Sequence, residues 1–159
     1  APEPVAIADL IDAAAAANRE AFRAAGVDLT TSVARAIPAV AVDPDRIQEV
    51  LTNLLENALR HTPAGGTTSL NARPSANTRR TAAVIEVRDS GSGFLPQDAE
   101  RIFGRFVKSA DSPGSGLGLA IARAIVEAHH GTLTAHSDGP GQGALFTLQI
   151  PLISVTESA

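Results

Sequence analysis

The sequence predicts one α/β (α+β) domain, a two-layer sandwich in which three main helices lie on one face of a mixed, largely antiparallel sheet. Two observations support this prediction. Three long segments carry apolar residues at helical spacing, and short aliphatic runs occur in pairs separated by turn residues. Helices and strand pairs of this kind bury their apolar faces against each other in two layers. We expect the domain to span residues 1–152 and a flexible tail to span residues 153–159.

Periodicity and end signals predict the three helices. The first runs from Val5 to Ala25, and the third runs from Gly116 to His130. The second follows Asp43, which can cap its N-terminus, and Pro44, which suits the first helical position. It continues from Asp45 to about His61, where proline and glycine residues end it.

Short runs rich in aliphatic and β-branched residues predict the strands. They are Val27–Val33, Ala39–Val42, Thr67–Arg73, Ala82–Arg88, Thr132–His136 and Ala144–Ile150. The third and fourth are expected to form a hairpin with a polar, mobile tip over Pro74–Arg80, and a Gly-Pro-Gly turn joins the last two. A short helix is expected over Pro96–Phe103 and a flexible loop over Lys108–Ser115.

Composition and charge exclude several classes of function. The net charge is −4 and the longest basic run is Arg79-Arg80, so the chain lacks the basic surface of a protein that binds nucleic acid or a membrane. It has no Cys, which excludes disulfides and thiolate metal sites and suits a reducing compartment. No apolar stretch reaches the roughly 20 residues that a membrane-spanning helix needs. Because the chain also has no Met, we expect it to be a fragment of a longer protein.

The second helix combines an apolar stripe with a polar edge. Asn53 and Asn57 lie one turn apart, and Arg60 falls on the same side, next to the stripe. Asn is a mediocre helix former, so two of them in mid-helix carry a cost that a functional role would explain. The alternative is an ordinary solvated face. The stripe itself consists of Ile47, Val50, Leu51, Leu54, Leu55 and Ala58.

A carboxylate and two glycines follow the strand that ends near Arg88. Asp89 can accept a hydrogen bond from an exocyclic amine, and Gly91 and Gly93 let the backbone approach a flat base. This segment could bind a purine. By itself, an ordinary Asp-Ser-Gly turn explains it better.

A glycine-rich segment from Gly114 to Leu119 leads into the third helix. Free backbone N–H groups and the helix dipole at such a position favour phosphate. The segment is not a Walker loop, because no Lys-Ser/Thr follows, and it is not a dinucleotide fingerprint, because Leu119 occupies the place of the third glycine. Taken alone, it is weak evidence for a nucleotide site.

Four motifs, taken together and in order, resemble the N, G1, F and G2 boxes of the bacterial two-component sensor histidine kinases. They are Asn53 to Pro63, Asp89 to Gly93, Arg101 to Phe106, and Gly114 to Ile121. The resemblance covers nearly the whole chain. It implies the Bergerat fold of the GHKL ATPases, which is a two-layer sandwich of the kind predicted above.

The resemblance implies a role for each residue at the base end of the site. Asp89 is expected to hold the adenine amino group, and Gly91 and Gly93 to shape the base pocket. His61 is expected near the base or the ribose, although a packing role is an equal alternative.

At the phosphate end, the resemblance implies that Asn57 places its amide oxygen on Mg²⁺ and that Asn53 supports the same assembly. Arg60 stands where the family has a basic residue for the phosphates. A lid that closes on ATP is expected after the F box, with Arg105 suited to phosphate or interdomain contact. The remaining residues expected to contribute to ATP binding are Phe106, Lys108, Gly114, Gly116, Leu117 and Gly118.

The resemblance further implies the catalytic domain of a protein-histidine kinase, which binds Mg-ATP and donates the γ-phosphoryl group to a histidine on a separate dimerisation domain. Its partners would be that domain of the same parent protein and, indirectly, a response regulator. The fragment is expected to be monomeric and cytoplasmic, with no membrane contact of its own, and its parent to be an inner-membrane sensor. None of its four histidines is followed by the acidic residue typical of a phosphoacceptor.

Three alternatives remain open at this point. Hydrolytic relatives of the same fold carry a glutamate four residues before the metal asparagine, but here that position is Asn53, which disfavours attack by water. An anti-sigma-factor serine kinase or a non-catalytic nucleotide-binding module would share the fold.

A metal site at His129 and His130 is disfavoured, because adjacent helical side chains point about 100° apart.

Overall fold

A computed structural model of the chain describes residues 2–77, 80–104 and 118–151. In chain order its elements are β1 (Glu3–Val5), α1 (Ile7–Ala25), β2 (Asp28–Val33), β3 (Val40–Val42), α2 (Pro44–His61), β4 (Thr67–Asn77), β5 (Arg80–Asp89), α3 (Gly118–Ala128), β6 (Thr132–His136) and β7 (Ala144–Pro151). Two single 3₁₀ turns, Pro96–Asp98 and Arg101–Phe103, lie between β5 and α3.

Five strands form the main sheet in the order β2-β4-β5-β7-β6. The β2–β4 pair is parallel and the other three pairs are antiparallel. β1 and β3 form a separate antiparallel pair. Within the described residues, three α-helices cover one face of the main sheet, so the predicted sandwich with a mixed, largely antiparallel sheet is confirmed.

Helix α2 is the centre of the helical layer and packs against both α1 and α3. The Asp43 side chain accepts hydrogen bonds from the backbone N–H groups of Asp45 and Arg46, at 3.1 and 3.4 Å, and so caps the helix. All six residues of the predicted apolar stripe are at most 1% exposed. Because this stripe faces the sheet, the edge that carries Asn53 and Asn57 is held at the border between core and solvent.

Helix α3 is tied to the second 3₁₀ turn through Arg123. Its guanidinium donates to both carboxylate oxygens of Glu100, at 2.8 and 3.0 Å, and lies 4.4 Å from the ring centre of Phe103. Phe103 in turn meets Phe146 of β7 edge to face, with ring centres 6.1 Å apart. These contacts fix α3 against the sheet.

The prediction for the hairpin was wrong about its tip. Pro74 lies within β4, opposite Ala83 of β5, and the strands run on to Asn77 and from Arg80. The pairing between β2 and β4 ends at Val33 and Ala72, so no residue of β2 lies beside position 74. A backbone N–H group at position 74 that pointed toward β2 would therefore have no strand to donate to. Proline is therefore tolerated there.

The other differences concern element ends. The three-residue strand β1, which includes Pro4 and exists through its pairing with β3, was not predicted. The expected short helix over 96–103 consists instead of two 3₁₀ turns. The third helix ends at Ala128, two residues before the predicted end, because His130 adopts a positive φ of 65°. The tail over 153–159 lies outside the described residues and stays a prediction.

Candidate functional site

Asp89, the last residue of β5, is a buried carboxylate that is only 5% exposed. Its Oδ1 atom accepts a hydrogen bond from the Gly91 N–H at 2.8 Å. Burial raises the pKa of Asp89, while the backbone N–H groups of Gly91 and Ala144 and the nearby His61 oppose the rise. The site thus presents a hydrogen-bond acceptor in a largely dry setting.

The loop after Asp89 touches the end of α2 directly. The His61 carbonyl accepts a hydrogen bond from the Ser92 N–H at 2.9 Å. A Cβ atom at Gly91 would lie 2.2 Å from that carbonyl oxygen and 2.9 Å from Asp89 Oδ1. Glycine is required at position 91 because the two backbones come too close for a side chain.

The turn between β6 and β7 holds the same loop from the other side, a feature that the sequence analysis missed. Its Gly143 N–H donates to the Gly91 carbonyl at 3.0 Å, and its Gly141 N–H donates to the Ser92 carbonyl at 2.7 Å. The buried Ser137 hydroxyl accepts from the Phe94 N–H at 3.1 Å and lies 2.7 Å from the Gly143 carbonyl, to which it donates. The sequence offers little signal for this role, because a serine before a Gly-Pro-Gly turn is an ordinary turn residue.

His61, the last residue of α2, is half-buried close to Asp89. Burial lowers the pKa of His61, and the Arg60 guanidinium lowers it further, against an opposing effect of Asp89. The imidazole is therefore neutral at neutral pH. Arg60 itself is exposed on the adjacent surface.

The other end of the α2 edge meets the beginning of α3. The Asn53 Nδ2 atom donates to the Gly118 carbonyl at 3.1 Å, which joins the two helices. Asn57 is half-buried, and within the described part of the chain its side chain makes no hydrogen bond. Asn53, Asn57 and His61 are spaced four residues apart, so they form a polar edge about 12 Å long between α3 and Asp89.

Several of the predicted site residues fall outside the described ranges. These are Arg105, Phe106, Lys108, Gly114, Gly116 and Leu117, together with the expected lid. The structure brings together Asn53, Asn57, His61, Asp89, Gly91 and Gly118, and it places Gly93 in the same loop as Gly91.

The side chain of His129, one of the two residues of the disfavoured metal site, is bound within the protein. His129 Nδ1 lies 2.8 Å from the Ile125 carbonyl, and its Nε2 accepts from the Asp43 N–H at 3.2 Å, so both ring nitrogens are engaged. Among the described residues, no group of three or more His, Cys, Asp or Glu side chains could hold a metal ion. Nor does any helix among them have the length and apolar character to cross a membrane.

Residues 42–154 match the family described as histidine kinase-, DNA gyrase B-, and HSP90-like ATPases. The chain belongs to this ATPase family. The match includes α2, the Asp89 loop and α3, which are the parts of the ATPase domain that carry the polar edge and the buried carboxylate.

The proteins similar to this chain include histidine kinases. The chain is 37% identical over 155 residues to the signal transduction histidine-protein kinase BaeS of Escherichia coli K12, a match that covers 94% of this chain and 32% of BaeS. The catalytic domain of the histidine kinase ThkA superposes with a TM-score of 0.82 at 26% identity, covering 95% of each chain. Full-length ShkA in complex with AMPPNP superposes with a TM-score of 0.84 at 29% sequence identity, a match that covers 97% of this chain and 32% of ShkA. The chain spans about a third of the length of the curated relatives it matches.

The residues at the polar edge of this ATPase domain fit a divalent cation held mainly by phosphate. The Asn53 side chain uses its nitrogen on Gly118, so its oxygen is left available, and the Asn57 amide is available as a whole. Mg²⁺ prefers oxygen ligands and is usually held by one or two protein groups plus substrate phosphates and water. An amide oxygen at the border of the core suits that mode of binding.

Proposed function

We propose that this chain is the ATP-binding catalytic domain of a sensor histidine kinase. It binds Mg-ATP and donates the γ-phosphoryl group to a histidine on a separate dimerisation domain of the same parent protein. The observation that carries the proposal is the polar edge of α2, which runs from a buried acceptor at Asp89 to the first turn of α3.

At the base end, Asp89 accepts a hydrogen bond from the adenine amino group. The Asp89 carboxylate is held at Oδ1 by the Gly91 N–H group, so little reorganisation is needed when the base binds. Gly91 and Gly93 let the loop pack directly against the His61 carbonyl and the β6–β7 turn, which fixes its position beside the base. The neutral, half-buried His61 imidazole forms the wall of the pocket on the α2 side.

At the phosphate end, the first turn of α3 and the α2 amides face the phosphates. Backbone N–H groups at a helix N-terminus favour anions, and Asn53 holds this helix end through Gly118. Asn57 supplies an amide oxygen for Mg²⁺, and Arg60 an exposed positive charge. When bound, the metal neutralises charge that develops on the transferring phosphoryl group.

Transfer to a protein is favoured over hydrolysis, because no carboxylate of α2 in the described part of the chain is in position to activate water. The position four residues before Asn57 is Asn53, whose side chain is bound to Gly118. Glu56 is exposed and is turned about 100° from Asn57 around the helix axis. The histidine acceptor must then come from the dimerisation domain, and a response regulator receives the phosphoryl group afterwards. We place the domain on the cytoplasmic side of a membrane sensor.

The relatives support this assignment. The similar curated proteins are named as sensor histidine kinases, and ShkA was solved in complex with AMPPNP. The F-box segment Arg101–Phe103, packed under α3, favours this class over the serine kinases of the same fold.

A phosphoryl-transfer assay in trans tests the proposal. With radiolabelled ATP, the purified chain is expected to stay unlabelled, because none of its histidines resembles an acceptor: His129 has both nitrogens engaged and His136 pairs with Asp138 at 2.9 Å. Addition of a histidine-bearing dimerisation fragment of the parent should give acid-labile phosphate on that fragment. Acid-stable phosphoserine on a partner would favour the serine kinase, and ATP binding without any transfer would favour the non-catalytic module. Stoichiometric acid-labile label on this chain alone would contradict the proposal.

A further inference from the structure

His129, the residue directly after α3, has a half-buried side chain that the proposed site does not use. Its Nε2 atom accepts a hydrogen bond from the backbone N–H of Asp43 at 3.2 Å, so Nε2 carries no proton. The single proton of the neutral ring is then on Nδ1, which donates to the Ile125 carbonyl in the last turn of α3 at 2.8 Å. The imidazole therefore connects the end of α3 to the residue that begins α2.

The N–H group that His129 accepts from belongs to the N-cap residue of α2, Asp43. In a capping box, a Glu or Gln three residues after the N-cap accepts from this N–H group within the same helix. Here that position is Arg46, whose side chain has only donors. His129 thus supplies from α3 the acceptor that the third helical position of α2 does not provide.

A second hydrogen bond joins the same two helices at their other end. The Asn53 Nδ2 atom donates to the Gly118 carbonyl, at the beginning of α3, at 3.1 Å. Asn53 lies about 15 Å along α2 from Asp43, and Gly118 lies about 16 Å along α3 from His129, at 1.5 Å per residue. The two helices are therefore antiparallel, and side chains connect them at both ends of their contact.

Two connections hold a helix in a way that one cannot. Buried apolar side chains pack α3 into the core, but apolar packing is non-directional, and packed helices can slide past each other by about 1–2 Å. With the Asn53–Gly118 bond alone, α3 could still turn about that point and change the direction of its first-turn N–H groups. The bond at His129 removes that freedom. The ion pair of Arg123 with Glu100 cannot replace it, because it does not involve α2 and Glu100 is 74% exposed, where ion pairs contribute little.

We propose that His129 is a positioning residue for phosphoryl transfer. It fixes α3 against α2, so that the first-turn N–H groups of α3 and the Asn53 amide meet the triphosphate in the arrangement that transfer needs. This inference rests on the proposed function. A displacement of about 1 Å at the reacting groups can reduce a rate about 100-fold. Loss of the His129–Asp43 bond should therefore lower the transfer rate, while ADP affinity, which depends mainly on the base end, is retained.

Two substitutions at position 129 separate the two hydrogen bonds of the ring. His129→Gln places an amide oxygen near the position of Nε2, so it can accept from the Asp43 N–H group. His129→Asn places an amide nitrogen near the position of Nδ1, so it can donate to the Ile125 carbonyl but is too short to reach Asp43. Only the first variant keeps the connection between the helices.

The test measures transfer of radiolabelled phosphate to the dimerisation fragment. His129→Asn is expected to lower the rate at saturating Mg-ATP about tenfold or more, with the KM for Mg-ATP and the calorimetric affinity for ADP within about threefold of the wild type. His129→Gln should keep the rate within about threefold. His130→Asn is the matched control, since it makes the same substitution at the next, exposed residue and Asn tolerates the positive φ there. It should change neither rate nor affinity.

A substitution at Arg46 separates positioning from capping. Arg46→Gln gives α2 an amide oxygen at its third helical position, which can accept from the Asp43 N–H group within the helix. Added to His129→Asn, it should raise the thermal unfolding midpoint toward that of the wild type. The transfer rate should stay low, because α2 and α3 remain unconnected at this end.

The outcomes distinguish the inference from the function on which it rests. If the wild type gives no labelled dimerisation fragment, the proposed function fails and the inference fails with it. If the wild type transfers phosphate and folded His129→Asn transfers it equally fast, only the inference is wrong. Recovery of the rate by Arg46→Gln in the His129→Asn background would also overturn it, since His129 would then act only as a cap. Should His129→Asn not fold alone, His129→Asn and His129→Gln are compared in the Arg46→Gln background, where equal rates would overturn the inference.

Discussion

The two ends of the α2 edge are built differently. At the base end, the loop after Asp89 is held by α2 on one side and by the β6–β7 turn on the other, and several of its backbone donors and acceptors are used within the protein. At the phosphate end, the Asn53–Gly118 bond joins α2 to α3, while the Asn57 amide and the Arg60 guanidinium make no hydrogen bond within the described residues. One end is complete before any ligand arrives, and the other is completed by its ligand.

This difference indicates what the base end and the phosphate end each contribute to the free energy of binding. A prearranged pocket loses little conformational freedom when a rigid base enters, so it can supply affinity and selectivity. Phosphates and a cation change their arrangement during transfer, and free amide oxygens can follow that change. Variants at the base end should therefore change affinity for every adenine ligand, whereas variants at the phosphate end should change only the response to metal and triphosphate.

The largest effect is expected for Asp89→Asn. The amide oxygen can still accept from the Gly91 N–H, so the fold should be retained, but the amide nitrogen would face the adenine amino group with a second donor. We expect the affinity for ADP to fall by at least 100-fold, about 2.8 kcal/mol, in calorimetric titration. Unchanged affinity would remove Asp89 from the base site.

The wild type should show the same dependence on the Asp89 charge through pH. The carboxylate must be ionised to accept two hydrogen bonds, so affinity should fall as pH is lowered through the pKa of Asp89. Because burial raises that pKa, the loss should begin at a higher pH than for an exposed aspartate. The variant His61→Gln removes the ionisable imidazole next to Asp89, so any remaining pH dependence of the pair comes from the Asp89 carboxylate. We expect this variant to retain the loss of affinity at low pH.

A second, smaller effect is expected for Gly93→Ala. Gly93 has φ +62°, and a Cβ atom there would lie 2.5 Å from the Gly139 carbonyl and 2.8 Å from the Gly143 carbonyl. The new methyl group should push the loop away from the β6–β7 turn, lower the free energy of unfolding by about 3 kcal/mol and weaken ADP binding about tenfold. Thermal unfolding and calorimetric titration measure the two losses.

Gly141→Ala is the matched control for this variant. Gly141 has a similar φ of +80°, but a Cβ atom there meets no described atom within 4 Å. It should lose only the backbone preference of glycine, about 1 kcal/mol, and keep its affinity for ADP. Equal losses in the two variants would mean that contact with the turn does not hold the base loop.

The sequence predicted the helical layer well because local signals coincided there with the tertiary fold. The Asp43 cap, Pro44 and the apolar stripe of α2 all agree with the structure. Where pairing decides the structure, local signals failed. Pro74 suggested a turn and Pro4 discouraged a strand, yet both lie in strands whose neighbours do not need their missing N–H groups.

The site could be predicted only as far as its motifs reached. Asn53, Asn57 and Asp89 could be predicted as site residues from their residue type and spacing. Ser137 could not, because the importance of a hydroxyl depends on what it contacts, and its contact lies 43 positions away in the chain, at Phe94. Such positions become visible only when the strands are paired.

The smallest effect, and the sharpest test of the phosphate end, is expected for Asn57→Ala. Asn57 has no hydrogen bond to lose within the described residues, so the fold should be unaffected and the free energy of unfolding should change by less than about 0.5 kcal/mol. Without Mg²⁺, ADP and ATP should bind as they do to the wild type, because the base end is intact. With Mg²⁺, the wild type should bind ATP more tightly than it does without the metal. The variant should bind Mg-ATP about tenfold more weakly than the wild type, since one oxygen ligand is missing. Asn57→Asp keeps an oxygen and should restore the metal response, while Glu56→Ala, one residue away on the exposed side, should leave it unchanged. Equal losses for ATP with and without Mg²⁺ would show that Asn57 contacts the nucleotide itself, and the division between a finished base end and an open phosphate end would then be wrong.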